Sequence, residues 1–142
     1  MPFTIQAPFQ NWDALHEETC EEANILMAQW FVNNKKGNAE HGYANRIPPQ
    51  VAEDSLKDIA TWQKQTFGFF EDTTAEQTVR VAKEKLGIKN ITLRTDVTPE
   101  SIKRELNLGR IIIVPTAGRL LHNPHFKQPG PWYHMALIRG YD

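Results

Sequence analysis

The sequence is short of several things that would each point to a function. It has a single cysteine in 142 residues, which excludes an internal disulfide and leaves that residue to packing or to chemistry. No apolar run approaches the ~20 residues that span a bilayer. Charge of neither sign dominates, with 16 Lys and Arg against 17 Asp and Glu and a formal net charge of −1, so there is no electrostatic case for nucleic acid or for an anionic membrane. Gly-x-Gly-x-x-Gly and phosphate-loop patterns are missing, and no cofactor is expected. The opening Met1-Pro2-Phe3-Thr4 lacks the basic and apolar regions of a secretion signal, so the chain reads as cytosolic or as a trimmed form of something longer.

A hydrophobic fraction of 40% with 23% charged residues suits one folded domain over residues 1–142. Helices dominate the first two thirds. Thr19 and Glu22 have the spacing of a capping box, and Ala23, Leu26, Met27, Trp30 and Phe31 follow at three- and four-residue intervals. A second helix is predicted over 49–67, with Ala52, Leu56, Ile59 and Ala60 inward and Gly68 as terminator. A third starts at Thr73 or Thr74 and closes at Gly87, and a small one has Thr98 as N-cap, Pro99 at its first position and Gly109 just beyond. Strands are expected at 3–7, at 91–94, as a buried strand at 111–114, and at 133–138; residues 37–47 and 116–132 read as connections. Helices first and strands late favour an α+β fold.

Cys20 is the first candidate for chemistry. With Thr19 as N-cap it occupies the first helical turn, where main-chain N–H groups and the macrodipole favour a thiolate. Glu17, Glu18, Glu21 and Glu22 around it work against that charge, and its place three residues before Ala23 also suits core packing. His134 opens the last strand directly after Gln128-Pro129-Gly130-Pro131, where a strand can hold a base rigidly at the edge of a cleft. Cysteine early and histidine more than a hundred residues later is the chain order of papain-like enzymes. His122 and His125 form an H-x-x-H that a metal site could extend with His134 or His41. Asn123-Pro124 between them opposes helical presentation, so loop packing is expected and no metal. The remaining Asp and Glu are expected mostly on helix surfaces. Trp12, Trp30, Trp62 and Trp132 are too scattered for base stacking and are expected to pack in the core or a cleft.

Phe3-Thr4-Ile5-Gln6-Ala7-Pro8, Asn11-Trp12-Asp13 and Glu18-Thr19-Cys20-Glu21-Glu22-Ala23 resemble the nucleophile region of bacteriocin-processing-like cysteine peptidases. They are closest to a branch whose helix opens with Cys-Glu-Glu-Ala instead of Cys-Gly-Pro. Gly109 to Pro115, Asn123-Pro124, Gly130-Pro131 and His134-Met135 through Arg139-Gly140-Tyr141-Asp142 are similar to the base region of that branch. The resemblance implies a papain-like fold, a nucleophile helix packed on an antiparallel sheet. By position, Cys20 attacks a carbonyl carbon, His134 receives and returns the proton, and Gln6 donates to the oxyanion, with Gln10 as its rival. It also implies a peptide or protein substrate and an envelope or extracellular setting. In that family an Asp or Asn on the strand after the histidine orients it. The sequence ends at Asp142, so a domain cut short of its last strands is expected, with 133–138 an open edge that invites a homodimer. Hydrolysis leads. A papain-like module that binds peptide or wall fragments without turnover, and acyl transfer to an amine, are the alternatives.

Overall fold

The computed structural model describes residues 1–40 and 42–142; His41 lies outside the described residues. The protein is α+β. Among the described residues there are four α-helices and two antiparallel sheets of two strands each. The chain divides into two compact units, Met1–Leu93 and Arg94–Asp142.

The first unit is built on α1 (Cys20–Val32) and α2 (Pro49–Phe67). Pro49 suits the first turn of α2, where its missing N–H costs nothing, and Gly68 ends the helix at φ 88°, a conformation that penalises a Cβ. The predicted stripe Ala52, Leu56, Ile59 and Ala60 is buried. Leu26, Trp30, Ile47 and Ala52 form one cluster of the core, with Met27 packed against them. Residues 37–47, expected as a connection, contain a hairpin of β1 (Asn38–Glu40) and β2 (Tyr43–Arg46). The strand expected at 3–7 reduces to one parallel bridge. Phe3 N–H donates to Asn45 O at 3.0 Å, and Ile47 N–H donates to Phe3 O at 2.8 Å. Buried Arg46 fastens the same segment by donating to Pro8 O at 3.1 Å.

Of the two starts that the sequence offers, Thr74 makes the capping box, with Gln77, at the head of α3 (Ala75–Arg80), which runs on into a π-helical turn, Val81–Lys85. The strand expected at 91–94 is not formed. Those residues pair with no strand, and the face that Ile91 and Leu93 would share is left mostly exposed, with no neighbour to bury it.

In the second unit α4 (Pro99–Asn107) starts as the sequence predicts. Thr98 and Ser101 cap each other reciprocally and Pro99 stands at the first position. β3 (Ile112–Thr116) pairs antiparallel with β4 (His134–Ile138), from Ile112 opposite Ile138 to Thr116 opposite His134. β3 is half-buried rather than buried, as a strand with a single partner in a small sheet leaves a face open. The loop between them carries a short 3-10 turn, Gly118–Leu121, and a cis Gln128–Pro129 bond.

Candidate active site

α1 begins at Cys20 with Thr19 as N-cap residue, as the sequence predicts, but the capping box expected from Thr19 and Glu22 is absent. The Thr19 hydroxyl points away from the helix and donates to Gln6 O at 3.1 Å. Glu22 is fully buried and turns inward, so its carboxyl cannot reach back to the cap. Tertiary packing has overridden a local motif whose net worth is about 1 kcal/mol.

Most acidic residues lie at the surface, as expected, but Glu21, Glu22 and Glu53 are exceptions and are all buried. The Cys20 thiol, 8% exposed, donates to Glu21 Oε2 at 3.0 Å. The other oxygen of Glu21 is held from the far side of the unit, where Thr73 N–H donates to Oε1 at 2.8 Å. Burial raises the Glu21 carboxyl above the usual range, against the pull of the hydrogen bonds from Cys20 and Thr73. Glu22 is raised further, to about 8, by burial and by Glu21 beside it. Both Glu22 oxygens and the fully buried amide of Gln63 on α2 are sealed from water and lie outside strict hydrogen-bond geometry, yet the amide still draws the Glu22 carboxyl down against its burial.

Gln6 lies in the same region. Its amide donates to His16 O at 2.8 Å and to Glu17 O at 3.2 Å, which ties down the segment leading into α1. Serving an oxyanion would require it to give up one of those carbonyls. The rival Gln10 is exposed in a turn at φ 61°.

His16, which the sequence reading passed over, is 2% exposed. Its Nδ1 is 2.8 Å from Asp13 Oδ1 and its Nε2 is 3.0 Å from Glu53 Oε2, so the segment before Cys20 is clamped to α2. Both ring nitrogens can donate at once only in the imidazolium form. Lys57 adds a contact to Glu53 Oε1 at 2.8 Å. Burial opposes ionisation of Glu53, but the hydrogen bonds from Lys57 and His16 prevail and its carboxyl is lowered. Asp13 is lowered chiefly by the His16 main-chain N–H. Four consecutive apolar residues, Ile25-Leu26-Met27-Ala28, cover most sides of a helix and mark α1 as enclosed, but no pattern in the sequence singles out His16 or Glu53.

His134 belongs to the second unit. It opens β4, where Thr116 Oγ1 donates to its carbonyl at 2.7 Å, and its ring meets the edge of Phe126 at 5.1 Å. Burial lowers its pKa, so the imidazole is neutral at neutral pH. Phe126 also lines a shallow cavity of about 140 Å³ with Arg119, His122 and Asn123. Trp132 is 77% exposed and Trp12 56%, against the expected packing, while Trp30 is buried. Arg119 covers the Trp132 ring at 3.5 Å. His122 and His125 stand on exposed loop positions, and among the described residues no group of three or more His, Cys, Asp or Glu is arranged to hold a metal. No helix of the described residues is long and apolar enough to cross a membrane.

No family model, no curated protein and no solved structure matches the chain.

Proposed function

We propose that the chain carries the nucleophile and base of a papain-like cysteine peptidase, with Cys20 attacking a peptide or isopeptide carbonyl and His134 carrying protons to and from the reacting groups. The observation that carries the reading is Cys20 as the first residue of a 13-residue helix, where the macrodipole favours negative charge on sulfur. A neutral His134 on a strand is the form that can accept a proton. Attack forms a thioester and expels the amine, and water then releases the acid. Gln6, tied through its carbonyl to Thr19, is the side chain nearest in role to an oxyanion donor.

The test is cleavage of a peptide library, including double-glycine sequences, by the full chain and by Cys20→Ala and His134→Ala. Turnover should vanish in Cys20→Ala and fall by roughly 10²-fold or more in His134→Ala. Cleavage that survives Cys20→Ala, or specific peptide binding without any turnover by the native chain, overturns the reading. The second result would establish a binding module instead.

A further inference from the structure

We infer that Cys20 and Glu21 share one proton, and that the thiolate is made by transfer to Glu21 Oε2 rather than by loss to solvent. The inference rests on the reading of Cys20 as nucleophile and adds a second, resident acceptor for its proton.

Three features of the first unit carry it. The thiol is aimed at Glu21 Oε2 across 3.0 Å, within direct hydrogen-bonding reach of a sulfur donor. The carboxylate cannot swing away to water, because Thr73 N–H holds Oε1 at 2.8 Å, with the Thr73 hydroxyl at 3.5 Å, and because Glu21 is 1% exposed. Third, the pair stands on the first turn of α1, where the helix dipole supports one negative charge, wherever within the pair it resides.

The step conserves charge and atoms. The S–H bond breaks, an O–H bond forms on Oε2, and thiol plus carboxylate become thiolate plus carboxylic acid. Burial penalises a charge on either atom, so the step moves one negative charge within an enclosed pair and does not create a second. The charged and titratable groups around the pair include Glu22 on α1 and Glu71 and Asp72 from the segment before α3. Glu22, near 8, is mainly uncharged at neutral pH and adds little repulsion there. Asp72 repels both forms of the pair, whose net charge is the same. Two coupled groups of this kind lose their protons in two steps that belong to the pair.

Alkylation of the full chain by iodoacetamide across the pH range reads this directly. The native profile should show a plateau at mildly acid to neutral pH, from the one-proton pair, and a second rise at higher pH as the last proton leaves. Glu21→Gln keeps the shape and the acceptor for Thr73 but cannot take the proton. It should lose the plateau, with the rate near pH 6 falling by about tenfold, and its single rise should come at lower pH because the negative neighbour is gone. Glu21→Asp, retracted by one methylene, should lose the plateau while keeping the charge. The shape of the profile is the readout, since limited access to Cys20 slows every form alike. A native profile with one ordinary thiol ionisation overturns the inference whether or not the variants fold, and so does a Glu21→Gln profile that matches the native one. The two claims fail separately. A plateau that depends on Glu21 in a protein that cleaves no peptide keeps the shared proton and removes the peptidase. Cleavage by a protein without the plateau does the reverse.

Discussion

Glu22 stands beside Glu21 with both oxygens sealed from water, and the nearby Gln63 amide offsets only part of the cost of burying its charge. Its carboxyl is raised to about 8 in the fold from an ordinary value near 4.5 in the unfolded chain. The folded state therefore holds the proton more tightly. That contribution is complete below the unfolded value and is lost as pH rises towards 8. Glu22→Gln should stabilise the protein by roughly 1–3 kcal/mol at pH 8–9 and change little near pH 4, measured by urea unfolding at both. Equal effects at the two pH values would contradict a buried neutral acid. The clamp at His16 works with the opposite sign. Asp13 and Glu53 are lowered, so their contribution is present above the usual carboxylate range and disappears as pH falls through their folded values. His16→Ala should cost about 2–4 kcal/mol at neutral pH and should flatten the acid limb of the stability curve.

Helix starts that look alike in sequence behave differently once their surroundings are known. Thr74 closes a capping box on Gln77, and Thr74→Ala should cost about 1 kcal/mol through α3 alone. Thr19→Ala removes no helix cap; it breaks the bond to Gln6 O, so its effect should extend to the segment before Cys20 in amide hydrogen exchange. The β1–β2 hairpin has its own weak point. A Cβ on Gly37 would lie 1.9 Å from Arg46 O, main-chain atoms that cannot yield, whereas a Cβ on Gly140 meets nothing within 4 Å. Gly37→Ala should lose about 2 kcal/mol or more in chemical denaturation, with Gly140→Ala close to native.

On the scale of the whole chain, the boundary after Leu93 falls in a stretch, 89–97, that joins no helix or sheet and is mostly exposed. Limited trypsin treatment should cut first at Lys89 or Arg94, ahead of lysines within α2, because proteases need extended, unpaired main chain. Early cleavage inside α2 would show that the boundary is misplaced.

By itself the sequence determined the α+β composition, the extents of α2 and α4, the cap at Thr98, a start for α3 at Thr73 or Thr74, and the placing of Cys20 at a helix start and His134 at a strand start. Each of these follows from periodicity, capping and glycine or proline stops within a few residues of one another, where local energies decide. Only the tertiary structure decided that Glu21, Glu22 and Glu53 are inside, that Thr19 turns to Gln6, that His16 is gripped by two carboxylates, and that residues 91–94 form no strand. The bonds from Thr19 to Gln6, from His16 to Glu53 and from Thr73 to Glu21 join groups 13 to 52 residues apart. Burial changes the protonation of a carboxyl and outweighs a cap worth about 1 kcal/mol, and no local pattern records which side chains burial will reach.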